Sequence, residues 1–114
     1  MRKTVVDRCP DASAGRERYY NARIDRALGC FAPRLNAVSV DVHHERAGAE
    51  IAFGVTVRLD LTDGSWRFFA ATRPDLPSAV GAAFDAARSS LRDDPIPDDV
   101  VVETGGPGGA TVRA

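Results

Sequence analysis

The sequence has no apolar run approaching the roughly 20 residues that a membrane-spanning helix requires, so no bilayer segment is expected. It has no surplus of basic charge either. Fifteen Lys and Arg stand against sixteen Asp and Glu, whereas a protein that grips nucleic acid over its whole surface needs an excess of cations, because phosphate neutralisation supplies most of the affinity. Cysteine is scarce: Cys9 and Cys30 are the only two. That excludes a dense disulfide framework, and both thiols are expected to be free. The opening MRKTVVDRC has basic residues but no apolar stretch of signal-peptide length behind them. No export signal is therefore expected, and cytoplasm is the expected compartment.

Constellations that carry chemistry are also lacking. His43 and His44 are adjacent, so on a strand they point to opposite faces and do not share one metal. Neither cysteine has a local base and orienting group, and Cys30, at a helix end, is expected to pack as a small residue. The run Gly105-Gly106-Pro107-Gly108-Gly109 has no Lys-Ser/Thr behind it and no strand-to-helix setting, so it is not a phosphate loop. Asp93-Asp94 and Asp98-Asp99 fall in turn and tail sequence. The expectation is a protein that is not an enzyme and takes no metal, cofactor or small-molecule substrate.

What is present is a charge gradient and strong hydrophobic patterning. Residues 1–48 sum to +3, residues 49–73 to zero and residues 74–114 to −4, so any basic surface must be local and lie early in the chain. Lys3 to Val6 reads as a short edge strand, followed by a turn at Pro10 and Asp11. Tyr20, Ile24, Ala27, Leu28 and Phe31 recur at spacings of three and four, which predicts a helix from about Ser13, its N-cap, to Phe31. LNAVSVDVH alternates Val38, Val40 and Val42 against Ser39, Asp41 and His43, the period of a strand with one wet face. After a flexible RAGA loop, Ile51, Phe53, Val55, Val57, Leu59 and Leu61 occupy every second position. Asp63-Gly64 predicts a tight turn with positive φ at both residues, leading into a strand at Trp66 to Ala71. A second helix follows Asp75 and Pro77, with Val80, Ala83, Phe84, Ala87 and Leu91 as its buried stripe, and stops at Pro95. The remainder is acidic and glycine-rich; a mostly disordered tail is expected, with Val100 to Val102 its only docking part.

These elements predict a single α+β domain over residues 1–95 and a tail over 96–114. The economical arrangement is a two-layer sandwich of order β-α-β-β-β-α, with both helices on one face of a mainly antiparallel sheet of three to four strands. On the first helix, at about 100° per residue, Arg18 and Arg26 point away from the core and Arg23 lies on the flank beside Tyr19. On the second, Arg88 and Arg92 share a flank with Asp85, which is placed to pair with Arg88. Trp66 and Phe68 project to one sheet face and Arg67 and Phe69 to the other, so an aromatic side chain is expected on the face away from the helices. Trp66 and Phe69, one from each face, are the alternative candidates for an interface there.

From about Gly15 to Arg92 the chain resembles the ribosome hibernation-promoting factors, the family that includes the ribosome-associated inhibitor of translation. The likeness is carried by the order of ALGCFAPRLNAVSVDV, the long alternating strand, the hairpin and AATRPDLPSAVGAAFDAARSSL, in which Asp75, Leu76, Ala79, Val80, Asp85 and Leu91 keep the family register. The resemblance implies the β-α-β-β-β-α fold, binding to rRNA of the small ribosomal subunit at the decoding region, and silencing of translation under stress or in stationary phase. It also implies phosphate contacts from the helices: Arg18, Arg23 and Arg26 of the first, Arg34 before the first clear strand, and Arg88 and Arg92 of the second. Where the family carries further basic residues on its second helix, this chain has Ala86, Ala87, Ser89, Asp93, Asp94 and Pro95. With 19 residues after Pro95, the dimerisation domain of the long family members is not expected here. Two alternatives stay open: a divergent member with weak RNA affinity, acting as a homodimeric protein-interaction module through the open sheet face or its edge strand, and a double-stranded RNA binder, which shares the element order but begins its helix with lysines that this chain lacks.

Overall fold

A computed structural model describes residues 1–9, 14–106 and 109–113 of the chain. The elements are β1 (Arg2–Asp7), α1 (Ala14–Leu28), a 3₁₀ helix (Gly29–Arg34), β2 (Leu35–Ala47), β3 (Glu50–Leu61), β4 (Trp66–Arg73), α2 (Leu76–Leu91), β5 (Val101–Gly106) and β6 (Gly109–Arg113). The strands form one six-stranded sheet in the order β1-β2-β3-β4-β5-β6, with β1 parallel to β2 and every other neighbour antiparallel. Both helices supply the apolar stripe that covers one sheet face. The β-α-β-β-β-α order is that of the sequence reading; the sheet is wider than three to four strands.

The alternation of β2 and β3 sorts side chains as their pattern predicts. Val38, Val40 and Val42 meet Val55, Val57 and Leu59 under the helices, all at 2% exposure or less, while Ser39, Asp41, Thr56 and Arg58 take the open face. One irregularity keeps Leu35 in the core: Asn36 is an extra residue against Leu61 and Asp60, and this bulge resets the pleat before Val38. From above, Tyr20, Ile24 and Leu28 of α1 and Val80, Phe84 and Leu91 of α2 close the core. Each fully buried aliphatic or aromatic side chain stabilises the fold by roughly 1.5–3 kcal/mol relative to exposure.

Four local expectations are revised. First, α1 ends at Leu28 and the chain tightens into a 3₁₀ helix. The altered rotation per residue keeps Phe31 against the core and turns Cys30 outward, so Cys30 is exposed and not the packing residue expected; Cys9 is the buried thiol. The Ser13 cap lies outside the described residues. Second, the RAGA loop is a two-residue turn at Gly48-Ala49, with positive φ at Gly48 only. Third, the Asp63-Gly64 turn is a four-residue loop. Only Gly64 takes positive φ (88°), and Asp63 instead accepts a hydrogen bond from the Ser65 N–H at 2.8 Å. That Asx geometry needs no left-handed Asp63. Hydrogen bonds from the Ser65 side chain and backbone hold the Asp63 carboxyl below its usual range.

The fourth revision concerns the tail. Residues 101–106 do not trail away: β5 pairs with β4 from Trp66↔Gly105 to Ala70↔Val101, and Val100 is buried in the common core. Segment 96–106 therefore belongs to the same sheet as residues 1–95. The acidic, glycine-rich composition hid a short alternation in VVETG.

Helix α2 is closed at both ends by side chains. Asp75, in extended conformation, accepts from the Ser78 N–H at 2.9 Å, and Pro77 sits in the first turn, where its missing N–H costs nothing. At the far end Asp94 N–H donates to Ser89 O (2.8 Å) and Asp93 N–H to Ser90 O (3.3 Å), the Schellman pair of bonds. The residue in left-handed conformation is Asp93, at φ 58°, where glycine is the norm. Two arginines from the sheet side reach the same end: Arg67 donates to Ser90 O at 2.8 Å and Arg34 to Leu91 O at 3.0 Å. Both complement the negative end of the helix dipole.

Candidate nucleic-acid interface

The outer surface of the helix layer collects most of the arginines picked out in the sequence. Arg18 and Arg26 are exposed on α1, Arg88 is exposed on α2 and Arg92 is exposed at its C-cap. Arg23 is half-buried between the helices: one terminal guanidinium nitrogen lies 3.7 Å from where a side chain on Gly81 would begin. At about 100° per residue Gly81, Arg88 and Arg92 fall within about 40° of one another on α2. The bare flank of Gly81 thus gives Arg23 its room, and the same flank continues into Arg88 and Arg92. Arg23 Nε is buried and has no hydrogen-bond partner among the described residues.

Charge pairing on this surface is sparse. Among the described residues Arg18, Arg23, Arg26 and Arg88 form no ion pair; the Asp85–Arg88 pair expected from their spacing is not made. Arg92 is 3.5 Å from Asp94, with both side chains about half exposed, a contact of little energetic weight. Asp25, about 20° from Arg18 on α1, is paired with Lys3 at 2.8 Å. Arg34 differs from the rest, because part of its guanidinium is committed to capping α2.

The open face of the sheet is more polar than the aromatic pattern suggests. Phe69 is fully buried beneath the helices, since it pairs with Val57 and Val102 in the inward register; it belongs to the core and not to an interface. The aromatic neighbour of Trp66 on the open face is Phe68, and both are half-buried. Arg58 lies over the Trp66 ring at 5.1 Å and also donates to Asp60. The ring itself lies against Gly105, where an added side-chain carbon would come within 2.7 Å. Trp66 is therefore clamped within its own sheet.

A polar row crosses the same face. Arg8 Nε donates to Asp41 (3.0 Å), His43 lies between Asp41 (3.5 Å) and Glu45 (2.8 Å), and Thr72 donates to Glu45 (2.8 Å). The His43 ring fills the space above Gly54, whose missing side chain would stand 2.5 Å from Nε2. Hydrogen bonds from His43 and then Thr72 hold the Glu45 carboxyl below its usual range. His44, on the other face, meets Phe53 edge-on at 5.0 Å.

A second network, missed in the sequence, fastens α1 to β1. Asp7 accepts from the Tyr20 hydroxyl (3.2 Å) and the Cys9 N–H (3.0 Å) and pairs with Arg16 (3.2 Å). Burial, and then the Asp7 charge, push the Tyr20 phenol up to about 12. Burial and Asp7 likewise raise the Cys9 thiol above its ordinary value, so it is protonated at neutral pH and a poor nucleophile. Nothing in the spacing of residues 7, 9, 16 and 20 announces this cluster; it depends on the parallel docking of β1.

Among the described residues no helix is long and apolar enough to cross a membrane. No protein-family model matches the chain, and a search of the curated proteins finds no match.

Proposed function

We propose that the protein is a ribosome-associated factor of the hibernation type, which binds small-subunit rRNA through the outer face of its helix layer and silences translation by steric occlusion of the decoding region. The observation that carries this reading is the group of arginines left without ion pairs on one surface, with Arg23 held in the crevice that leads to Arg88 and Arg92. A buried donor without a partner costs about 1–3 kcal/mol, and a small movement of Arg23 toward an RNA phosphate recovers it. Arg18, Arg23, Arg26, Arg88 and Arg92 are the contacts; Arg34 assists with the donors that its capping role leaves free. Blocking a site needs neither catalysis nor a cofactor.

Purified small subunits titrated at two salt concentrations test it. Five phosphate contacts on RNA give a log–log salt slope of about −4, so affinity falls by about two orders of magnitude between 50 and 200 mM salt. Each Arg→Gln substitution should flatten the slope by about one unit. Absence of binding at 50 mM salt, or binding indifferent to salt, defeats the proposal.

One observation favours a second reading, a homodimeric interaction module. Phe68, Ala70 and Val101 share the open face, and Val101 is 50% exposed beside Ala70. A molecular mass that rises with concentration and returns to the monomer value in Phe68→Glu would support it.

A further inference from the structure

Beyond α2 the helix-side face of the sheet is uncovered, and the 92–100 segment walls a groove there. Ile96, Val100 and Val102 form its apolar floor, Pro97 one wall, and Asp94 and Asp98 its rim, around a volume of about 430 Å³. That is within the roughly 300–1,000 Å³ of sites that hold small ligands or inserted side chains. Val100 is buried in the core and anchors the floor, while Ile96 and Val102 are half-buried and present their remaining surface to the groove. The rim carboxylates are largely unspent. Asp98 makes no hydrogen bond or ion pair among the described residues, and Asp94 has only the 3.5 Å contact with Arg92. Asp99, next along the chain, is already paired with Arg73 at 3.0 Å and fixes the segment to β4.

We propose that this groove docks a short basic peptide of a partner protein, with an aliphatic side chain on Ile96, Val100 and Val102 and flanking Lys or Arg side chains on Asp94 and Asp98. Charge complementarity selects this occupant. The carboxylates disfavour RNA and anionic lipid, and residues 74–114 carry a net charge of −4 that adds to the same field. The apolar floor disfavours a purely hydrophilic cation, because only a side chain that excludes water from Ile96 and Val102 gains from burial. A lysine or arginine beside an aliphatic residue meets both requirements, since its own methylene stem also packs on apolar surface. Arg92 of the helix layer adjoins the groove at Asp94 (3.5 Å); docking of the peptide does not rest on the RNA reading.

Amide chemical shifts of the full chain, followed while the peptide Ac-Lys-Leu-Lys-Leu-Lys-NH₂ is added, test the proposal. Saturable shifts confined to residues 94–102 are expected, with affinity at least about tenfold weaker for Ac-Lys-Ser-Lys-Ser-Lys-NH₂ and for Ac-Glu-Leu-Glu-Leu-Glu-NH₂. Asp98→Lys, an exposed position whose change leaves the core intact, should weaken the first peptide by about tenfold or more. No saturation up to millimolar peptide overturns the proposal. So does equal binding of the serine peptide, which leaves charge alone, or of the acidic peptide, which leaves apolar contact alone. Shifts at 94–102 that follow protein concentration without peptide would instead make a second copy the occupant, and overturn it as well.

Discussion

Replacing Asp93 by glycine should make the protein more stable. Asp93 occupies the left-handed position of the α2 Schellman motif at φ 58°, where a side-chain β-carbon costs roughly 1–2 kcal/mol relative to glycine. Its carboxylate also stands at the negative end of the helix dipole, a placement unfavourable by about 0.3–1 kcal/mol. It forms no ion pair among the described residues that would offset this. Against these gains, glycine adds roughly 0.5–1 kcal/mol of backbone entropy to the unfolded chain. The balance is a stabilisation of about 1 kcal/mol, equivalent to about 4 °C in Tm for a domain of this size. Asp93→Asn separates the contributions: it removes the charge and keeps a residue that tolerates the left-handed region, so it should recover only the smaller, salt-dependent part. Urea unfolding of the three proteins at low and high ionic strength reads both differences. If Asp93→Gly is neutral or destabilising, the closing turn of α2 does not carry the strain assigned to it.

Three further outcomes follow from the networks. The native state holds the Tyr20 proton to about 12 while an unfolded phenol titrates near 10, so this stabilisation is fully present below pH 10 and is lost between about 10 and 12. At pH 11 the wild type should therefore have lost roughly 1 kcal/mol more than Tyr20→Phe, measured as urea midpoints against pH 9; equal losses would place the alkaline limb elsewhere. Arg67→Met, which keeps the stem but removes the bonds to Ser90 O and Oγ, should cost about 2 kcal/mol in thermal unfolding, with Arg67→Lys losing less. An unchanged midpoint for the methionine variant would show that α2 does not depend on that cap. Gly54→Ala should destabilise the protein while His43 is present, because the ring must leave its place over β3. In a His43→Ala background, where Glu45, 2.8 Å from the same point, is released from the ring and free to turn aside, the change should cost much less; a double-mutant cycle without coupling would refute the contact.

The parts of the fold that were legible in the sequence are those set by local periodicity. Val38, Val40 and Val42 declare a strand with one dry face, and Val80, Ala83, Phe84, Ala87 and Leu91 declare a helix stripe, because in each case the period alone decides which side is buried. The failures share a different cause. Phe69 and Phe68 are equally aromatic, and only the inward register of β4 against Val57 decides which of them is core. The 101–106 strand was hidden because glycine and acidic residues lower its intrinsic propensity, and its formation depends on a free β4 edge that no local window contains. Arg34 and Arg67 look like surface cations until α2 ends beside them.

The same distinction bears on the arginines. The sequence sorts six of them by helix position alone, with those of the first helix and Arg34 leading and Arg88 and Arg92 assisting, but the fold divides that set by what each guanidinium already touches. Arg34 is partly consumed in capping α2, Arg92 is shared with Asp94, and Arg18, Arg23, Arg26 and Arg88 make no ion pair among the described residues. A guanidinium held to a carbonyl through one nitrogen meets a phosphate only with its remaining donors and in the orientation that the cap allows, so its gain is the smaller. An exposed one without a protein partner exchanges only water for a charge-assisted bond, the larger gain. Substitutions in the helix layer should therefore separate into two classes. Arg88→Gln should weaken RNA binding and leave thermal stability nearly unchanged, and Arg23→Gln should weaken RNA binding with no loss of thermal stability, since it removes a buried donor that has no partner among the described residues. Arg34→Gln, by contrast, should lower thermal stability and change the salt slope little. If Arg34 instead proved the strongest determinant of RNA affinity, its bond to Leu91 O would have to exchange on binding, and α2 would be a moving part of the interface, not its fixed support.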